Sequence, residues 1–191
     1  MFHNRNLISS TPYFLDQSAD AKQTIIRKIY PSNHSKRNGK NVVFIGDDTW
    51  EGLFPNEFHR SYFYPSLDVA DLDTVDFGVY EKLPIEVKNK TDWSLVIGHM
   101  LGVDHCGHTF GSLTPHIGNK LLEIDSFIDE VINIVDEDTL VMTFGDHGMT
   151  ISGDHGGESK HETDAALYVY APKGFRKRLS FKGRVLSCKN S

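Results

Sequence analysis

Four short apolar runs alternate with longer polar stretches along this chain. The runs cover residues 41–46, 93–100, 139–145 and 165–171, and glycine, proline or charged residues border them. Short runs that are rich in β-branched and aromatic residues are typical of buried strands. We therefore predict four strands at these positions.

The stretches between the runs contain two patterns of helical spacing. Over residues 115–135 apolar side chains recur every three or four positions, which predicts an amphipathic helix. Residues 71–87 show a weaker version of the same pattern, and we expect Pro84 to interrupt that helix. Strands that alternate with helices predict an α/β fold with a mainly parallel sheet and helices on its faces.

The chain has the size and composition of one globular domain. It has 191 residues with 39% hydrophobic content, and neither a run of about 18 apolar residues nor a secretory signal stands out. Seven of the 20 Lys/Arg residues fall in the last twenty positions, so we predict a flexible basic tail over residues 176–191. The rest is strongly acidic, which argues against nucleic-acid binding and suits cation binding.

Histidine and aspartate occur together in one part of the chain. Seven of the ten histidines lie between His99 and His161, within glycine-rich phrases. Imidazole and carboxylate ligands suit Zn²⁺, and carboxylates also suit Mn²⁺ or Mg²⁺. The candidate metal ligands are Asp104, His108, Asp146, His147 and His155.

These phrases follow the predicted strands. Asp47 and Asp48 come after the first strand, Asp104 and His108 after the second, and Asp146 after the third. In open α/β sheets ligands bind beyond the carboxyl ends of the strands. We therefore expect these side chains to meet at one edge of the sheet.

Two kinds of convergence are expected there. Asp104 and His108 can reach one ion from a tight loop, in which Gly102 and Gly107 let the backbone bend. His155 can return to the same ion from a second glycine-rich turn. His161 is the alternative to His155 as the third ligand.

The other polar candidates have weaker assignments. His105 and His116 are candidates for hydrogen bonds to substrate or to the metal ligands, and His99 is expected in the core. Cys106 is either a ligand or a buried thiol, and we favour the thiol. Two glycosylation sequons begin at Asn33 and Asn89, and they matter only in a chain that enters the secretory lumen.

Several longer phrases resemble one family throughout. VVFIGDDTWEGLFP (42–55), FYPSLDVADLDTVDFGV (63–79), LGVDHCGHTFG (101–111) and FGDHGMTISGDHGG (144–157) are similar to the GPI ethanolamine phosphate transferases of the alkaline phosphatase superfamily. The wording is most similar to the type 3 branch. The resemblance implies a partial alkaline-phosphatase-like catalytic domain over residues 7–175, truncated at its N-terminal side.

The resemblance also implies a chemistry. Two divalent metals, Zn²⁺ or Mn²⁺, would bind at strand ends, with Asp104, His108 and His155 as the first site and Asp146 and His147 as half of the second. A threonine would take phosphoethanolamine from phosphatidylethanolamine and pass it to the third mannose of the GPI precursor. The family works at the luminal face of the endoplasmic reticulum membrane, with a small membrane partner subunit.

Part of the family pattern is expected to precede this chain. The nucleophilic threonine and an upstream metal-binding aspartate have no counterpart here, and Thr11 and Thr49 do not sit in the nucleophile's context. Two other functions therefore remain open. One is a metal-dependent phosphodiesterase or hydrolase of the same superfamily, and the other is an inactive metal-binding fragment.

Overall fold

The computed structural model describes residues 40–174, which form five strands and five helices. In chain order they are β1 (Val42–Asp47), α1 (Thr49–Leu53), β2 (Arg60–Tyr64), α2 (Thr74–Lys88), β3 (Leu95–His99), α3 (Gly102–Phe110), α4 (Pro115–Ile134), β4 (Val141–Phe144), α5 (Lys160–Thr163) and β5 (Leu167–Tyr170). Each of the four predicted strands and both predicted helices is present. Thr11, Asn33, Cys188 and the basic tail lie outside the described residues.

The main sheet is parallel and has β1 at its centre. Its strand order is β2-β1-β3, and Val43 pairs with Arg60 on one side and with Val96 on the other. All six residues of β1 are buried, because helices or aromatic side chains cover both faces of the sheet. This burial explains the unbroken apolar run, and the predicted α/β fold is confirmed.

The last two strands do not join that sheet. β4 and β5 pair with each other in antiparallel register, with Val141 opposite Tyr170. We had expected both to extend the parallel sheet. Apolar runs do not report strand direction, since direction depends on how the chain returns between the strands.

Each face of the main sheet has its own core. On one face α2 and α4 cover β1, and Val79 and Phe127 pack against Val43 and Ile45. On the other face Phe44 stacks on Trp50 with ring centroids 4.7 Å apart, and Phe54 closes the cluster. Because both faces are covered, the carboxyl ends of the strands become the accessible edge.

The predicted interruption of the second helix at Pro84 is wrong. α2 continues through Pro84 to Lys88. Proline removes one backbone donor from a helix, but the residues on either side of it remain packed, with Val79 and Val87 buried. Tertiary packing therefore outweighs the local cost of the proline.

The sequence patterns did not reveal β2. Its residues include a charged position, Arg60, which anchors the strand rather than disrupting it. Arg60 donates to Glu86 of α2 from Nε at 2.8 Å and to Asp92 from Nη1 at 2.7 Å, while Tyr62 donates to Glu86 at 2.6 Å. This polar cluster fastens the edge strand to α2.

We expect the Glu86→Gln variant to lose stability in a pH-dependent manner. The hydrogen bonds from Arg60 lower the pKa of Glu86 below its usual 4.5. A lowered carboxyl pKa stabilises the fold above that value, and this contribution disappears as the pH falls through the lowered pKa. Urea unfolding should show a loss of about 1–3 kcal/mol at pH 7. An equal loss well below pH 4 would contradict the assignment.

None of the helices within residues 40–174 is sufficiently long and apolar to cross a membrane.

Candidate metal centre

Asp104 and His108 project from a helix, not from the tight loop that we expected. Both belong to α3, which begins three residues after β3 ends. Side chains four positions apart lie one above the other on a helix, so this spacing brings them together without any bend of the backbone. His108 Nε2 lies 3.4 Å from Asp104 Oδ2.

His155 completes a group of three. It comes from the loop between β4 and α5, and its Nε2 lies 3.2 Å from Asp104 Oδ1. One ligand atom from each of Asp104, His108 and His155 lies within 4.8 Å of the other two, which is close enough for the three to hold one metal ion. His161, the alternative third ligand, lies on α5 and is not a member of this group.

Asp146 and His147 lie directly beside this group. His147 Nε2 is 3.9 Å from Asp104 Oδ1 and 3.7 Å from Asp146 Oδ1, and the His147 and His155 rings are 4.0 Å apart. The structure therefore brings all five predicted ligands into one cluster. Asp104 faces both histidines of the loop and is the central carboxylate.

The donor atoms in this cluster fit a divalent cation. Asp104 Oδ1 is buried and accepts no hydrogen bond from the described residues, although two imidazole nitrogens face it. His147 Nδ1 lies 2.8 Å from the Gly148 carbonyl oxygen, and a proton on Nδ1 leaves Nε2 free as a ligand. Burial and the nearby His147 lower the pKa of His155, which favours the neutral imidazole that metals require.

The loop that carries His147 and His155 packs directly on α3. Met149 lies against Gly107, and a side chain at position 107 would collide with the Met149 sulfur. Gly153 approaches the Gly107 carbonyl in the same way. Gly107 therefore lets the Met149 side chain pack directly on α3, and it does not bend the backbone as we expected.

The Gly107→Ala variant tests this contact. The added methyl group would overlap the Met149 sulfur, so the end of that side chain has to move, and we expect stability to fall by about 1 kcal/mol. Metal affinity should fall as well if Met149 holds the loop that carries His155 against α3. Gly118→Ala is the matched control, because position 118 also lies on a helix and a methyl group there meets no atom within 4 Å. Thermal melting and metal titration of both variants provide the measurement.

Asp76 anchors the amino end of α3, a role that the sequence patterns did not reveal. Its side chain is fully buried, and Oδ1 accepts the backbone N–H groups of Leu101 and Gly102, each at 2.9 Å. Burial raises the pKa of Asp76, although these bonds and the charge of Lys120 act in the opposite direction. Asp76, the last residue of the DLDTVD segment, thus determines where α3, the helix that carries Asp104, begins.

Lys120 links this anchor to α4. The ammonium group is buried, and Nζ lies 2.7 Å from Asp73 Oδ1, 3.8 Å from Asp76 Oδ2 and 3.3 Å from Glu123. A buried cation needs such partners, because removal from water is costly.

Two other histidines that we had considered for substrate contacts have structural partners. His105 is buried, and its Nδ1 lies 2.7 Å from the Asp71 carbonyl oxygen, away from the ligand cluster. This contact joins α3 to the turn before α2, and a substrate contact by His105 stays a prediction. His116 stacks on Phe110 with ring centroids 4.0 Å apart.

The last residue of β1 also has structural partners. His99 Nδ1 lies 2.5 Å from the buried Asp47 Oδ2, and Thr49 donates its hydroxyl to Asp47. Asp47 at the end of β1 therefore contacts His99 of β3 through their side chains. Burial raises the pKa of the Cys106 thiol, which is consistent with the expected buried thiol.

The similarities of this chain to known proteins agree with the site. A family model for type I phosphodiesterase / nucleotide pyrophosphatase matches residues 15–173. The GPI ethanolamine phosphate transferase 3 catalytic subunit of Homo sapiens is 42% identical over 163 residues, which make up 85% of this chain and 15% of that protein. GPI ethanolamine phosphate transferase 3 of Saccharomyces cerevisiae is 39% identical over 165 residues, covering 86% and 16%.

Type 2 proteins match as well. GPI ethanolamine phosphate transferase 2 of Yarrowia lipolytica is 37% identical over 169 residues, or 86% of this chain and 20% of that protein. The resemblance inferred from the motifs is thus confirmed. The chain spans between 15% and 20% of the length of these relatives.

Proposed function

This chain belongs to the type I phosphodiesterase / nucleotide pyrophosphatase family, and we propose that it forms part of a GPI ethanolamine phosphate transferase of the third type. The proposed reaction moves phosphoethanolamine from phosphatidylethanolamine to the third mannose of the GPI-anchor precursor. The observation that carries this proposal is the convergence of Asp104, His108 and His155 inside the segment that matches those transferases.

The residues of this chain would hold the metals of that reaction. Asp104, His108 and His155 would form one site, and Asp146 with His147 would provide part of a second. Divalent metals such as Zn²⁺ or Mn²⁺ supply positive charge that stabilises a phosphoryl group during transfer. Asp104 faces the imidazoles of His155 in the first site and His147 in the second, and it would orient both rings.

The substrate and the compartment are inferred from the relatives. Their names specify GPI ethanolamine phosphate transfer, and we propose that the activity is located at the luminal face of the endoplasmic reticulum membrane. We further propose that the intact enzyme works with a small membrane partner subunit. The hydroxyl group of Thr49 donates a hydrogen bond to Asp47. We therefore do not propose Thr49 as the nucleophile.

A segment exchange tests this function. Residues 15–173 replace the matching segment of the Saccharomyces cerevisiae transferase 3, in cells that lack their own copy. We expect phosphoethanolamine on the third mannose of the GPI precursors, detected by mass spectrometry. The same exchange with Asp104→Ala should leave the precursors unmodified. The abundance of both proteins in membranes must be equal for the comparison.

The same assay separates transfer from hydrolysis. Purified exchange protein is given phosphatidylethanolamine with and without a trimannosyl GPI acceptor. A transferase should consume the lipid in an acceptor-dependent manner, whereas equal release of free phosphoethanolamine in both cases would favour a phosphodiesterase. An abundant, metal-loaded exchange protein with neither activity would favour a metal-binding segment without catalysis.

A further inference from the structure

We propose that Asn89 is a site of N-linked glycosylation. Asn89, Lys90 and Thr91 form an acceptor tripeptide, with a hydroxyl residue in the third position and no proline in the second. The inference rests on the proposed function in one respect, since it requires this part of the chain to face the lumen of the endoplasmic reticulum. The fold supplies the remaining arguments.

The tripeptide lies in an exposed turn. Asn89 directly follows the last residue of α2, and the backbone N–H of Asp92 donates to the Asn89 carbonyl at 3.2 Å, which closes a four-residue turn. Asn89, Lys90 and Thr91 are all exposed. The acceptor amide and the threonine hydroxyl are therefore accessible to a glycosylating enzyme, both in the folded chain and during synthesis.

Modification of the Asn89 amide would disturb only a weak hydrogen bond. Its Nδ2 donates to Asp92 Oδ2 at 3.4 Å, a long bond at an exposed position. The contrast is Asn41, whose Nδ2 donates at 3.1 Å to the Asp92 carbonyl and helps to hold the start of β1. Asn41 is structural, whereas Asn89 is available for modification.

The turn lies at the edge of the sheet opposite the metal centre. The turn precedes β3. Just after it, the backbone N–H of Ser94 donates to the carbonyl of Asn41, which directly precedes β1. Asp104 follows the other end of β3, whose five residues span roughly 16 Å. A glycan on Asn89 would therefore extend away from the candidate active site and leave it open to substrates.

The modification is a substitution at an anomeric carbon. The Asn89 Nδ2 attacks C1 of an oligosaccharide that is linked to a lipid diphosphate, and a C1–N bond forms as the C1–O bond to phosphate breaks. The lipid diphosphate leaves with the bonding electrons, and Nδ2 loses one proton to a base of the glycosylating enzyme. No redox partner is needed.

Translocation of the full chain into microsomes behind a cleavable signal sequence tests the proposal. An Asn33→Gln background removes the other natural sequon. In that background we add Asn89→Gln or Thr91→Ala, and a control combines Asn89→Gln with Glu137→Asn, which creates a sequon before Thr139 on another exposed turn. Protection from added protease verifies translocation of each variant.

We expect the Asn33→Gln chain to show one slower-migrating form that endoglycosidase removes. Asn89→Gln and Thr91→Ala should each abolish it, and Glu137→Asn should restore such a form. A protease-protected Asn33→Gln chain that stays unmodified while the Glu137→Asn control is modified would overturn the inference. The test is independent of catalysis, so a glycosylated Asn89 in a protein without phosphoethanolamine transfer would reject only the proposed function.

Discussion

Asp104→Asn should remove bound metal from this chain. The substitution keeps the size of the side chain but replaces a buried carboxylate oxygen, which faces His147 and His155, with a neutral amide. Loss of a group that only orients a ligand lowers metal affinity about 10- to 100-fold. Loss of the central ligand itself should exceed that range, as measured by titration with Zn²⁺ and with Mn²⁺.

Thermal unfolding gives a second measurement of the same site. A metal that binds only the folded chain at 100 times its Kd stabilises it by about 2.7 kcal/mol, so both ions should raise the melting temperature of the original chain. They should not raise that of Asp104→Asn. Asp129→Asn is the matched control, because it removes the same charge from the exposed surface of α4. Equal metal affinity in the original chain and in both variants would reject Asp104 as a ligand.

Asp76→Ala should cause the largest loss of stability. It leaves the N–H groups of Leu101 and Gly102 without their acceptor and takes one carboxylate away from the buried Lys120. Each backbone N–H group left without an acceptor costs about 1–3 kcal/mol, whereas Lys120 keeps Asp73 and Glu123 as partners. Urea unfolding at pH 7 without metal is the appropriate measurement.

Two further variants separate the roles of Asp76. Asp76→Asn keeps an acceptor for the two backbone groups and should be less destabilised than Asp76→Ala. Asp73→Asn affects only the exposed partner of Lys120, so it should leave the start of α3 intact. If Asp76 positions the helix, metal affinity at a temperature where all variants are folded should follow the same order. Unchanged affinity in Asp76→Ala would limit its role to stability.

The raised pKa of Asp76 sets the direction of the pH effect. Burial favours its neutral form, so the carboxyl group contributes most to stability below the usual aspartate pKa of 3.8 and loses that contribution as the pH rises through the raised value. The destabilisation in Asp76→Ala should therefore be larger at low pH than at neutral pH. This trend is opposite to the one expected for Glu86→Gln, whose carboxyl pKa is lowered.

Much of the fold could be predicted from the sequence because the elements have strong periodicity. β1 is an unbroken apolar run that is buried on both faces, and α4 keeps its spacing over 20 residues. β2 was missed because it contains Arg60. A charged residue is unfavourable in a strand unless it is paired, and here Glu86 and Asp92 pair with it. Those partners lie 26 and 32 residues away, beyond any local pattern.

The candidate site shows the same division. Short sequence motifs identified all five proposed ligands, because aspartate and histidine together in glycine-rich segments are typical of metal sites and unusual in an apolar core. The local conformation was predicted less well, since Asp104 and His108 lie on a helix. The glycine that suggested a bend at position 107 is there for its contact with Met149.

By itself the sequence determined the residue types of the metal cluster, the α/β class and the family, since these depend on composition, spacing and motifs. Only the tertiary structure decided that His155 and not His161 approaches Asp104, that β4 and β5 form a separate pair, and that Asp76 anchors α3. The physical reason is distance along the chain. His155 is 51 positions from Asp104, and packing of the whole domain, not local preference, brings such residues together.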